Sequence, residues 1–132
     1  LRVGYAMTNS GELKRGLDLA RTPFNVNLMA QAAAEAALDH PASVTDAVAL
    51  VRCELPRVKA AIEALGLRVL PSKGNFLFFD AARPSVELAE ALLDKGVIVK
   101  PWKQPGYETW LRVSIGTEAD NGQFLAALSG SL

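Results

Sequence analysis

A chain of 132 residues, half of them hydrophobic and about a fifth charged, has the size and composition of roughly one soluble globular domain. Fourteen Lys and Arg balance fourteen Asp and Glu, which excludes the basic surplus of a general nucleic-acid binder, and no apolar run approaches the ~20 residues that span a bilayer. One cysteine, Cys53, and one histidine, His40, exclude an internal disulfide framework and leave zinc almost no ligands.

Leu1 to Met7 is short and apolar and reads as a strand, weakened by Gly4. There is no basic segment followed by an apolar one, so these residues are not a signal peptide. A strand with nothing before it points to a chain cut from something longer. After the turn cluster Thr8-Asn9-Ser10-Gly11, residues 12–20 read as a helix with Leu13 and Leu17 on one face, ended by Thr22-Pro23. The alanine-rich stretch 25–38 predicts a closely packed helix that stops at His40-Pro41.

Residues 43–65 form the clearest element. Val44, Val48, Val51, Leu55, Val58, Ile62 and Leu65 make one apolar stripe, with Ser43 as cap and Gly66 after the end. The stripe keeps its register across Pro56, which predicts one bent helix rather than two. Strands are expected over 67–70 and 75–79, with Phe76, Phe78 and Phe79 supplying aromatic core. A helix opens at Pro84-Ser85 and runs to Lys95, with Val86, Ala89, Leu92 and Leu93 inward and Gly96 closing it. Residues 97–100 and 110–115 read as strands around a loop, and Thr117 with Asp120 caps a last helix that turns Phe124, Leu125 and Leu128 inward. The order predicts an α+β fold: a small, antiparallel-rich sheet covered by helices, mainly on one face.

No catalytic constellation is evident. His40 lies at a helix end, Cys53 has no histidine near it, and there is no Walker loop or GxGxxG. Three cations stand out: Arg2 and Arg112 lie inside apolar strands and Lys100 ends one. A charge in such a strand is expensive unless it faces solvent, is ion-paired or meets an anion. If they bind a ligand, it is an anion, because a guanidinium fork makes two parallel bonds to carboxylate or phosphate.

At these residues the sequence resembles a known family. Leu1-Arg2-Val3-Gly4-Tyr5 resembles the segment just after the cofactor lysine of fold-type I, pyridoxal-phosphate-dependent aminotransferases, and within them the histidinol-phosphate aminotransferase family. Arg21 to Asn27 with Gln31-Ala32-Ala33, Leu70-Pro71-Ser72 with Asn75-Phe76-Leu77, Gly96 to Val99, and Leu111 to Thr117 resemble successive parts of that family in order. The resemblance implies pyridoxal 5'-phosphate as cofactor and electron sink. It implies ping-pong transfer of an amino group from L-histidinol phosphate to 2-oxoglutarate, in histidine biosynthesis, and a cytoplasmic homodimer with no nucleic-acid or membrane partner. Residues 1–40 would then be the end of the large cofactor-binding domain and residues 41–132 the small domain.

Residue by residue, the resemblance matches Arg2 to the arginine on the cofactor phosphate and Arg112 to the arginine on the substrate's anionic group. Lys100 falls where many members carry a second arginine for the substrate phosphate; a lysine is a point charge rather than a fork. The family's Schiff-base lysine stands in a Ser-Lys motif shortly before the position of Arg2. None of the six lysines here has that context, so no catalytic residue is assigned and that lysine is expected upstream of Leu1. An aromatic aminotransferase or a threonine-phosphate decarboxylase-like enzyme shares much of this pattern. A non-catalytic α+β ligand-binding module is the reading from another class, and the coding sequence upstream of Leu1 separates it from the enzymes. The 132-residue chain alone is expected to show no transamination when incubated with pyridoxal phosphate, amino donor and 2-oxoglutarate; measurable glutamate formation by it would refute the placement of the lysine.

Overall fold

The computed structural model describes residues 3–132, and the chain divides into two compact units, Leu1–Asp46 and Ala47–Leu132. In the first unit, α1 spans Gly11–Ala20 and α2 spans Leu28–Asp39. Ser10 Oγ accepts from Leu13 N at 3.2 Å and Asn27 Oδ1 from Ala30 N at 2.8 Å, each satisfying a donor that a helix leaves open at its start. The strand expected over residues 1–7 is not observed in its described part. Residues 3–7 have no regular secondary structure, because a strand exists through ladder bonds to a neighbour and no described residue pairs with them. Leu1 and Arg2 lie outside the described residues. Nor is α2 the closely packed element expected: Ala30 alone is buried in it, while Leu28, Met29 and Leu38 stand exposed.

Helix α3 spans Pro41–Ala64 and carries Pro56 inside it as one helix. It starts two residues before the expected cap, Ser43, because proline at the first helical position has its φ preset and loses an amide that would be unpaired anyway. Gly66 follows its end at φ +81°, a conformation that costs glycine little. Only the middle of the predicted stripe reaches a core, since Leu65 at its C-terminal end is exposed as well. Val58 and Ile62 are fully buried and Val51 and Leu55 pack against them, whereas Val44 and Val48 are exposed.

The second unit contains a four-stranded sheet of β1 (Arg68–Val69), β2 (Phe76–Asp80), β3 (Lys100–Pro101) and β4 (Trp110–Ser114). The strand order is β1-β2-β4-β3 and every pair is antiparallel. Helices α4 (Ser85–Leu93) and α5 (Glu118–Ser129) complete it. Side chains alternate across a strand. Val69, Leu77, Phe79, Leu111 and Val113 therefore share one face, where they meet Val58 and Ile62 of α3, Leu88 and Leu92 of α4, and Phe124, Ala127 and Leu128 of α5. This is the expected α+β arrangement, with helices on one face. The alternation also corrects two readings. Of the three phenylalanines expected in the core, Phe79 is there and fully buried, while Phe76 and Phe78 occupy the opposite face. In α4 Ser85, Leu88 and Leu92 are buried and Ala89 packs against the core as expected, but Val86 and Leu93 are exposed; a nine-residue helix fits more than one apolar stripe, and the position of the sheet selects it.

Val97 to Val99 do not form the expected strand; the pairing begins at Lys100 and continues when Trp102 N donates to Trp110 O at 2.9 Å. Pro101 lacks an amide to donate, which an edge strand tolerates. Helix α5 starts as expected. Thr117 Oγ1 accepts from Asp120 N and Asp120 Oδ2 accepts from Thr117 N, a reciprocal capping box.

A polar cluster joins α3 to α5. Glu54 is buried, and its carboxylate accepts two bonds from Arg57, at 2.9 and 2.5 Å, and one from Asn121 Nδ2 at 2.7 Å. Asn121 also clamps the peptide groups of Gly116, accepting from its N at 3.0 Å and donating to its O at 3.0 Å. Arg57, then Asn121, holds the Glu54 carboxyl below the usual glutamate range. A lowered folded pKa adds stability at pH above the ordinary value of ~4.3, and that stability is lost as pH falls through the lowered value. Glu54→Gln is expected to weaken the chain at pH 7 and to shrink the difference between its urea midpoints at pH 7 and pH 3; an unchanged difference would show that Glu54 is not ionised in the fold. Phe79→Ala is expected to cost ~3–5 kcal/mol in the same unfolding experiment, since it removes a fully buried ring that meets Phe124 edge-on at 6.2 Å.

Candidate functional site

The face of the sheet opposite the helices is where the predicted cations meet. Register decides it: Arg112 on β4 is the direct partner of Phe78 on β2 and of Lys100 on β3. Direct partners place their side chains on one face with Cβ atoms ~4.5–5.5 Å apart. Lys100 and Arg112, twelve residues apart in sequence, thus stand side by side. Arg112 is partly buried, Lys100 is exposed, and neither has a carboxylate partner among the described residues. Two like charges on facing residues repel each other unless an anion stands between them. Arg2, the third predicted cation, lies outside the described residues.

The rest of this face is aromatic, which sequence reasoning missed by assigning Phe76 and Phe78 to the core. The Arg112 guanidinium lies 5.2 Å from the centre of the Phe76 ring. Phe78 packs against Trp110 at 4.8 Å, Trp102 at 5.3 Å and Tyr107 at 6.0 Å. At the far end Arg68 covers Trp110 at 4.7 Å and pairs with Asp80 at 3.7 Å. The signal was present in the period of two. Phe76 and Phe78 share parity along β2, and so do Trp110 and Arg112 along β4.

The loop between β3 and β4 is tied down. Ser85 N donates to Glu108 O at 2.8 Å and Ser85 Oγ to Trp102 O at 3.2 Å. The Glu108 carboxylate accepts from Gly106 N, and backbone amides hold its carboxyl below the usual range. At the other end of β4, the Asn121 clamp fixes Gly116, where a side chain would press on Asp120 at 3.0 Å. The strand carrying Arg112 is therefore held at both ends, and the arrangement can bind and orient a carboxylate or a phosphate. No group of three or more His, Cys, Asp or Glu able to hold a metal exists among the described residues. No helix there is long and apolar enough to cross a membrane.

Comparison with known proteins places the chain in a family. Residues 1–128 match the sequence model of aminotransferase class I and II. The histidinol-phosphate aminotransferase 1 of Mesorhizobium japonicum is 49% identical over 129 residues, covering 98% of this chain and 35% of that protein. The chain thus spans about a third of the length of the curated relatives it matches. Among solved structures, the histidinol-phosphate aminotransferase of Clostridium acetobutylicum superposes with a TM-score of 0.76 at 23% identity, over 93% of this chain and 38% of that one. That of Sinorhizobium meliloti, in complex with pyridoxal-5'-phosphate, gives 0.69 at 23% identity, over 89% and 33%. Likeness at that identity establishes the fold.

Proposed function

Since the chain belongs to the class I and II aminotransferase family, we propose that it is the C-terminal third of a pyridoxal-phosphate-dependent histidinol-phosphate aminotransferase. In this reading residues 1–40 end the large domain, residues 41–132 are the small domain, and the whole protein is a homodimer. The amino donor is L-histidinol phosphate and the acceptor 2-oxoglutarate. One observation carries it: Arg112 stands beside Lys100 on an open, aromatic sheet face, without a carboxylate partner among the described residues.

Of the groups that would hold the cofactor, this chain carries Arg2. A guanidinium suits a phosphate, and no geometry is attached to it because it lies outside the described residues. When bound, the cofactor supplies an electron sink for moving the amino group. The work of the described residues is recognition. Arg112 offers two parallel N–H donors, which fit the carboxylate of 2-oxoglutarate in one half-reaction and the donor's phosphate in the other. Lys100 adds a second positive charge where a dianion gains more from it than a monoanion. The aromatic neighbours keep water from surrounding Arg112 on every side, so its bonds act in a lower dielectric than on an open surface.

In the whole protein, Arg112→Ala is expected to lower kcat/KM with L-histidinol phosphate on the order of 10- to 100-fold, the loss of hydrogen bonds to a charged group. Lys100→Arg is expected to lower KM for that donor by about two- to five-fold and to leave KM for 2-oxoglutarate unchanged. Steady-state assays with each substrate varied separately check both. Strong preference of the unmodified enzyme for phenylalanine or threonine phosphate would overturn the donor assignment.

A further inference from the structure

We infer that Phe76 is a positioning residue for Arg112, its ring serving as the plate on which the guanidinium is presented to the substrate anion. The inference deepens the proposed function and rests on its assignment of Arg112. An arginine has several rotatable bonds, and a fork left to sample them loses that freedom when it binds. Arg112 has no hydrogen bond or ion pair to any described side chain that would hold it. What it has is a ring. Its guanidinium carbon lies 5.2 Å from the centre of Phe76, within the ~6 Å over which a cation is attracted to a ring face.

The register explains why this ring and no other. Phe76 pairs directly with Ser114 and is the diagonal neighbour of Arg112 on the same face. A diagonal neighbour lies at the reach of a long side chain. The direct partner on β2, Phe78, is already committed to Trp102, Tyr107 and Trp110. On the opposite side stands Lys100, whose like charge disfavours a guanidinium leaning toward β3. Attraction to one side and repulsion from the other both turn Arg112 over Phe76. The backbone that carries the ring is fixed, because Phe76 and Ser114 are paired in the ladder and the next pair, Leu77 with Val113, is anchored in the core. Arg112 itself is only partly buried and donates to no described side chain, so its N–H groups stay free for a ligand.

The test joins a spectroscopic readout to a kinetic one. In the whole protein, a ring stacked on Arg112 shifts the Arg112 Nε–H proton resonance upfield; Phe76→Leu is expected to return it toward the ordinary arginine position, and Phe76→Tyr to keep it shifted. In the whole protein, Phe76→Leu is expected to raise KM for both anionic substrates by about two- to five-fold, the scale of an exposed cation–ring contact, with kcat nearly unchanged and Phe76→Tyr restoring KM. A resonance that does not move in Phe76→Leu, or a KM that Phe76→Tyr fails to restore, would overturn the inference. Arg112→Ala without effect on KM would instead overturn the assignment of Arg112 and the kinetic part with it, while the resonance shift would still report the stacking.

Discussion

The pleat of β4 is the constraint on which the rest depends. In five residues it sends Leu111 and Val113 into the core and turns Trp110, Arg112 and Ser114 to the other face. Because β4 lies between β2 and β3, both neighbours bring a side chain against Arg112: an aromatic one from β2 and a cation from β3. A slip of one residue would bury the guanidinium and expose the leucine and valine. Hydrophobic burial beneath the sheet thus fixes the position of a charge above it. The arrangement of the upper face is inherited from the energetics of the lower one.

The polar cluster at the edge of that core serves the same end. A buried carboxylate is costly unless its bonds are met. Glu54 meets them with Arg57 and Asn121, on two different helices. Asn121 in turn holds both peptide groups of Gly116, just past the end of β4. Ser85 holds the loop before β4 from the side of α4. Directional bonds so anchor what non-directional packing leaves free to slide.

Much of this was legible in the chain. The stripe on α3, the capping pair Thr117 and Asp120, the turn at Gly66 and the alternation in Trp110 to Ile115 are local signals, set by spacing and by backbone chemistry. The errors share one cause. Phe76 and Phe78 are aromatic and Val86 and Leu93 apolar, yet all four lie off the buried core. Neither hydrophobicity nor period says which of two faces meets the helices. The strand expected at the start of the chain failed for a related reason: strand propensity in residues 3–7 yields no strand without a partner to bond.

The sequence by itself determined the fold class, most elements of the second unit and the cations that stand out in its strands, since composition, periodicity and motif order are properties of the chain and sufficed to bring the family resemblance into view. Only the tertiary structure decided which of those residues act together. Lys100, Arg112, Phe76 and Phe78 come from three strands, and their adjacency is a matter of register. Register is chosen by the burial of Leu77, Phe79, Leu111 and Val113 against α3, α4 and α5, a balance that no single segment contains.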